Sequence, residues 1–392
     1  MEMKQVYQLA NDVTTELLGK SDLLAEDLSN VVDLGKEIFD NVSYDHFCKS
    51  LVDRIGRTEF VNRVYEGSSR SLIRKAWEYG AVLEKITGTV LPEAVENESW
   101  SLTDGASYDP NVFKKSDVSA KFYNKRTTFE VDLSVADRQV RSAFDSANQL
   151  NAFFSMLTND VNKSLTVKVD ELANRTINNM ILQTFQAEFP SVNNNNYGSM
   201  SGIKAVNLLY LFNQQFSKSL TADDCLYDAD FIKFATLFIL RYTERVKKLS
   251  ALFNIGGLPR FTPGNLQHLI LHADLKSASD IYLQAGTFNK EYTALPMSET
   301  APYWQGSGTS YAFSATGTVK GTIELGSGST KSIIASGILG VLFDHEACGL
   351  SQIERRVTTN YNPKAEFNNY FYKEECGYFN DLNENFVVFY VA

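Results

Sequence analysis

Residues 337–389 read GILGVLFDHEACGLSQIERRVTTNYNPKAEFNNYFYKEECGYFNDLNENFVVF, a succession of apolar or alternating runs separated by turn residues. ILGVLFD, IERRVTTNY, AEFNNYFYKEE and NFVVFYVA are rich in β-branched and aromatic residues, which suit a pleated, half-buried surface. Asp344 is expected to end the first run and Gly349 to make the turn after it. The final run closes the sequence, so the C-terminus is expected to be tied into a sheet.

Working upstream, residues 305–336 are rich in Gly, Ser and Thr, with Tyr311, Phe313 and Val319 interrupting the polarity, which predicts an extended surface loop with weak strands. Before it come a strand-like run, LQHLILHA, and a short helix, DLKSASDIYLQ. Asp228 or Asp230 can cap a helix running FIKFATLFILRYTERVKKLSALF, ended by Asn254 and Gly256-Gly257. A longer helix is expected ahead of these. Ser134-x-x-Asp137 has the form of a loose capping box; Leu157, Val161 and Leu165, then Leu172, Ile177, Met180 and Ile181, mark a face running towards Phe189 and Pro190. At about 1.5 Å per residue a helix from Ser134 to Phe189, with a break conceivable at 163–169, is longer than a compact domain needs and reads as a strut.

Residues 98–135, ESWSLTDGASYDPNVFKKSDVSAKFYNKRTTFEVDLSV, combine turn chemistry with strong alternation. Val118, Ala120 and Phe122 are apolar at even positions, whereas Phe129, Val131, Leu133 and Val135 are apolar at odd ones. The apolar face therefore switches across Asn124 to Thr128, which implies a bulge or a change of partner sheet. With Ser101 to Val112 this predicts a long two-stranded projection, which needs a surface to rest on because a lone hairpin is marginal in water. Residues 51–90 mix a strand-like stretch at Thr58 to Tyr65 with apolar runs near Leu72 to Leu83. Residues 4–55 read as short helices broken at Gly19 and Gly35, an arm with little core of its own.

Composition narrows the function classes. The 392 residues are 44% hydrophobic and 21% charged, typical of a folded chain, and at roughly 150 residues per domain suggest two or three domains. A net charge of −10 disfavours a protein whose main task is to grip nucleic acid, since that rests on Lys and Arg neutralising phosphates. Cys48, Cys225, Cys348 and Cys376 are too scattered for a disulfide scaffold and read as free, mostly buried thiols. The N-terminus is charged where a signal peptide needs its apolar run, and no window is apolar enough to span a membrane; both point to folding in a cytoplasm.

Chemistry is sparse. GxGxxG, P-loop, HExxH and GxSxG motifs are absent. Among His46, His268, His272 and His345, the pair His268 and His272 has a helical metal spacing, but QHLILHA alternates like a strand without a nearby Glu or Cys ligand, so structural histidines are the expectation. His345 and Cys348 in FDHEACG invite a nucleophile reading, against which stands an ordinary turn of Asp, His and Glu. The aromatic set Tyr370, Phe371, Tyr372, Tyr378, Phe379, Phe386, Phe389 and Tyr390 has few basic residues between its members and reads as sheet core rather than a base-stacking platform. No catalytic, cofactor-binding or metal-binding residue and no cofactor is assigned.

The C-terminal segment resembles the end of tailed-phage (Caudoviricetes) major capsid proteins, at Arg355-Arg356, Asn362-Pro363, Gly377-Tyr378 and Glu384 to Phe389. VYQLANDV and LVDRIGRT near the N-terminus also resemble such subunits. The resemblance implies an α+β fold with an N-terminal arm, an extended β-hairpin loop, a peripheral domain with a long spine helix, and an axial domain. It places the arm at 1–50, a first peripheral part at 51–89, the loop at 90–133, the spine-helix part at 134–204, the axial domain at 205–380, and a strand returning to the peripheral sheet at 381–392. It further implies a non-enzymatic subunit that self-assembles as pentamers and hexamers into an icosahedral shell around double-stranded DNA, with portal, scaffolding and decoration proteins as partners, assembled in a bacterial host's cytoplasm. A mildly repulsive acidic wall suits such a container. Some relatives crosslink a loop lysine to a neighbour's Asn; Lys114, Lys115, Lys121 and Lys125 lie in the matching loop, but solvated charges are the ordinary expectation and that activity is not carried over. The alternatives are an encapsulin-like compartment, a tail-tube protein, which suits the long helix poorly, and, from another class, a hydrolase using His345 and Cys348.

Overall fold

The computed structural model describes residues 11–12, 15, 73–74, 83–88, 94, 96–97, 101–111, 113, 118–136, 160–192, 197–284, 298–305, 313–325 and 328–392. Its strands are β1 (Ile73–Arg74), β2 (Leu83–Gly88), β3 (Val118–Tyr123), β4 (Arg126–Ala136), β5 (Ala205–Asn207), β6 (Gln267–His272), β7 (Ser298–Ala301), β8 (Val319–Glu324), β9 (Thr330–Ala335), β10 (Ile338–Asp344), β11 (Cys348–Asn362), β12 (Phe367–Asn380) and β13 (Phe386–Tyr390). Its helices are α1 (Val161–Glu188), α2 (Leu208–Phe216), α3 (Ala229–Arg245), α4 (Ala273–Gln284) and the single turn α5 (Phe313–Thr316). None is long and apolar enough to cross a membrane, among the described residues. The chain divides into two compact units: one within 1–78, 125–173 and 350–377, the other within 79–124, 174–349 and 378–392.

The first unit carries a four-stranded sheet in the order β1-β11-β12-β4. β12 runs antiparallel to β4 from Phe367 opposite Ala136 to Gly377 opposite Arg126, a register that sets Tyr370 against Leu133 and Tyr372 against Val131. Alternation then gives the two faces opposite characters. Val135, Tyr370 and Tyr372 are buried, while on the other face Lys373 pairs with Glu130 at 2.9 Å and Arg126 with Glu375 at 2.7 Å. The buried Glu374 is paired by Gln352 at 2.8 Å and Arg355 at 3.3 Å. At the Asn362-Pro363 turn, the Asn362 side chain accepts from the N–H groups of Lys364 and Ala365, as an Asx turn does.

The second unit is built on a five-stranded sheet ordered β5-β13-β10-β6-β7. β10 is antiparallel to both β13 and β6, and the outer pairs β13–β5 and β6–β7 are parallel. ILGVLFD and FVVFY are buried at every position, which explains why they read as continuous apolar runs rather than alternating ones. Phe212, Phe231, Ile232, Ile239 and Tyr242 of α2 and α3 form one core with Leu271, Leu342 and Phe389 of the sheet. Elsewhere in this unit Phe185 of α1 packs on Tyr197 and Tyr390, with ring centroids 4.9 Å from each.

Several expectations change. Ser134 does not start a helix: β4 continues to Ala136, and the Ser134 hydroxyl lies 2.5 Å from the Asn369 side chain across the ladder. Of the helix expected from Ser134 to Phe189, residues 137–159 lie outside the described residues; α1 is unbroken through 163–169, and over its 28 residues it spans about 42 Å at 1.5 Å per residue. α3 is capped by Asp228, as expected, but ends at Arg245 rather than Asn254, because the chain folds back and the Val246 carbonyl accepts from the Thr262 N–H. The stretch at 305–336 contains a real hairpin, β8 with β9, whose Val319, Ile323, Ile333 and Ala335 are buried.

β13 lies in the five-stranded sheet between β10 and β5, and 350–377 belong to the first unit. Of the expected arm at 1–50 only Asn11, Asp12 and Thr15 are described, all helical; the strand expected at 58–65 lies outside the described residues.

Candidate functional site

The sequence-level face switch at 124–128 is a change of partner. β3 pairs antiparallel with β2, from Leu83 opposite Tyr123 to Gly88 opposite Val118, and two residues later β4 begins in the other sheet. The partner strand is thus LEKITG, not the Asp-, Gly- and Pro-containing 101–112, of which the described residues are turns or irregular and exposed. β2 and β3 form a two-stranded sheet with no further strand among the described residues.

The two faces of this hairpin differ in chemistry. Ile86, Val118 and Phe122 lie on one face and are 64%, 58% and 64% exposed. The opposite face carries Lys85, Lys121 and Tyr123, each partly buried. An apolar outer face with a charged inner face inverts the usual amphipathic strand.

The inner face meets a buried acidic turn at 381–384. Lys121 Nζ lies 2.7 Å from Asp381 Oδ1, and Lys85 Nζ lies 2.9 Å from Asp381 Oδ2 and 2.9 Å from Glu384 Oε1. Lys85 also donates to the Glu346 carbonyl at 3.2 Å, and Arg260 Nε approaches Glu384 at 3.5 Å. Lys85, Lys121 and Arg260 thus face Asp381, Glu384 and Glu346, a balance that lets a carboxylate with only 1% side-chain exposure stay ionised. Burial pulls the Asp381 carboxyl upward, but the Lys121 and Lys85 ammonium groups and the Asn383 N–H outweigh it and hold it below its ordinary value. The Tyr123 phenol is pushed above its ordinary range by burial and by Asp381 and Glu384, and its ring packs on Phe379 at 5.3 Å.

The turn itself is rigidly built. Asp381 donates its N–H to the Ala347 carbonyl at 2.7 Å and accepts from the Asn383 N–H at 3.1 Å; the Leu382 carbonyl accepts from the Gly256 N–H at 2.8 Å. Beside it the buried Thr262 hydroxyl donates to Asp344 at 2.7 Å and accepts from the Asn385 amide at 3.1 Å.

His46 lies outside the described residues; His268, His272 and His345 each have structural neighbours. His268 Nε2 and His345 Nδ1 lie 2.9 Å apart, one donating and the other accepting, and His268 stacks on Phe343. His272 is fully buried, accepts from the Asp274 N–H and meets the Phe313 ring edge-on. Cys348 is fully buried, so the turn FDHEACG presents no accessible thiol beside its imidazole. No cluster of three or more His, Cys, Asp or Glu side chains suited to a metal occurs among the described residues. Lys121, expected to be a solvated loop charge, is instead bound to Asp381; Lys125 is exposed, and Lys114 and Lys115 lie outside the described residues. The role of Asp381 was not legible: in FNDLNEN it reads as one more turn residue, and its lysine partners are some 260 and 296 positions away (381 − 121 and 381 − 85).

Comparison with known proteins gives the family. The family model described as Phi29-like phage major capsid protein matches residues 10–390. Among solved structures, the chain is similar to one in the capsid structure of Staphylococcus phage Andhra, at 10% identity, covering 86% of this chain and 87% of that one, with a TM-score of 0.48. It is also similar to one in the capsid structure of the cyanophage P-SCSP1u, at 10% identity, covering 86% and 92%, with a TM-score of 0.42. No curated protein matches. The match over nearly the whole chain favours neither the hydrolase nor the compartment alternative, and the chain belongs to the Phi29-like phage major capsid protein family, as a structural virion protein and not an enzyme.

Proposed function

We propose that many copies of this subunit, arranged as pentamers and hexamers, close into an icosahedral shell around double-stranded DNA, and that the β2–β3 hairpin is the extended loop by which one copy overlies the next. The observation that carries this is the hairpin's outer face, where Ile86, Val118 and Phe122 stand in water in a single copy. Apolar surface of that kind on a lone hairpin is stabilised by burial against a partner, at about 25 cal/mol per Å². In this reading α1 is the spine helix, the five-stranded unit gathers at the capsomer axis, and residues 1–50 form the arm. Weak contacts of this size suffice because a closed shell multiplies them. Portal and scaffolding proteins complete the partner set, and the net charge of −10 keeps the wall from holding the genome fast.

Electron microscopy of the purified full-length protein, alone and with its scaffolding partner, tests this. Closed shells or five- and six-fold capsomers are expected; a monodisperse small monomer under every assembly condition overturns it.

A further inference from the structure

We infer that Asp381 is the positioning residue that fixes the hairpin's angle for assembly, acting as a buried anion that Lys85 of β2 and Lys121 of β3 clasp from both strands. The inference rests on the reading of the hairpin as the extended loop, and adds to it what aims that loop.

Three observations lead to it. Among the described residues β2 and β3 pair only with each other, so backbone hydrogen bonding to a larger described sheet does not orient them. The two lysines occupy directly opposed positions in the ladder, Lys85 against Lys121, and both turn to one carboxylate, at 2.9 and 2.7 Å. A like-charged cross-strand pair destabilises a hairpin on its own, and the anion set between the two ammonium groups offsets that repulsion. Finally, Asp381 is itself immobilised by the Ala347 carbonyl and the Asn383 N–H and is 1% exposed.

The consequence is a division of labour. The outer face of the hairpin supplies area for a neighbouring copy, while the inner face supplies direction through charge. Charged groups set register and orientation better than apolar ones, because a misplaced buried ion is left unpaired, whereas a misplaced apolar side chain finds other contacts. Glu384 is the second contact of Lys85 and is shared with Arg260, which ties the clasp to the chain near β6.

The test is amide hydrogen exchange on the full-length unassembled protein, with shell yield measured on the same preparations. Asp381→Asn should raise exchange in 83–88 and 118–123 by at least about tenfold, leave β10 and β13 protected, and lower the yield of closed shells. Lys121→Met keeps the Lys85 pair and guards against misfolding; it should produce a smaller rise confined to the same two segments. Unchanged hairpin exchange in both variants, a rise spread evenly over the five-stranded sheet, or wild-type shell yield with a loosened hairpin each overturns the proposal. The extended-loop reading fails separately, if Ile86→Ser with Phe122→Ser leaves shell yield unchanged while hairpin exchange stays at the wild-type level.

Discussion

Lys121 Nζ and Asp381 Oδ1 meet at 2.7 Å although 260 positions separate them in the chain. The Asp381 carboxyl titrates below its ordinary value because the pairing with Lys121 and Lys85 outweighs its burial. A carboxyl depressed in the folded state adds stability above its unfolded-chain value of about 4, and that contribution is lost as pH falls through the lower folded value. Pepsin cleavage within residues 83–123 should therefore be slow in the wild type near pH 4.5 and accelerate towards pH 3, whereas Asp381→Asn should be cut readily at both. A constant ratio between the two proteins across that range would remove Asp381 from the acid response.

The apolar outer face predicts a separation of folding from assembly. Ile86→Ser with Phe122→Ser removes side chains that are each 64% exposed in the single copy, so the unfolding midpoint should move by less than about 0.5 kcal/mol equivalent. Shell formation, followed by light scattering and negative-stain microscopy, should fall at least about tenfold, since the same side chains would be buried in every subunit contact. Loss of soluble, folded subunit would instead place these residues in the subunit's own core.

How much of this was legible depends on whether the signal was local. The buried runs ILGVLFD and FVVFY and the Asp228 cap are decided by residues a few positions apart, and each is where the sequence puts it. Ser134 shows the opposite: its capping-box spacing is genuine, but pairing of β4 with Asn368 and Asn369 of β12, over 230 positions away, overrides it. The phase switch between Phe122 and Phe129 gave a correct change of partner but not the partner, because alternation specifies a face and not what covers it. Lys121 read as solvated for the same reason, its counter-ion being invisible at any local window.

Burial governs the thiols. The desolvated Cys225 and Cys376 are each pushed up to about 12, so the reactive thiolate is scarce at ordinary pH. Iodoacetamide near pH 8 should leave the peptides carrying these two residues unmodified in the folded protein and alkylate both in denaturant. Rapid native labelling of either would show that its surroundings open on the minute scale.

Asp228 accepts from the N–H groups of Asp230 and Phe231, both at 2.9 Å, closing the first turn of α3. Phe231 and Ile232 in this turn and Ala235 in the next belong to the shared core, so fraying there reaches the five-stranded sheet. Asp228→Ala should cost about 1 kcal/mol in urea unfolding, and Asp228→Ser or Asp228→Asn a few tenths, because all three natural caps present an acceptor to the same donors. Equal losses for Ala and Asn would assign the effect to the Lys218 ion pair at 3.5 Å instead of the cap.

Gly337 and Gly105 both adopt positive φ, +71° and +81°, yet they should respond differently to alanine. A Cβ on Gly105 meets nothing within 4 Å, so only the left-handed backbone penalises it, by about 1–2 kcal/mol, within an exposed loop whose opening does not propagate. A Cβ on Gly337 collides with the Val391 carbonyl, a backbone group that cannot rotate away because the Val391 N–H is itself bonded to the Gly337 carbonyl at 2.8 Å. That clasp joins the entry of β10 to the exit of β13, two strands of the five-stranded sheet that are buried at every position. Gly337→Ala should therefore lower global stability by more than about 2 kcal/mol and depress soluble yield, while Gly105→Ala leaves the thermal midpoint within about 1 °C. Matching midpoints for the two variants would mean that the C-terminal residues detach from Gly337 at little cost, contrary to the pairing that closes the sheet.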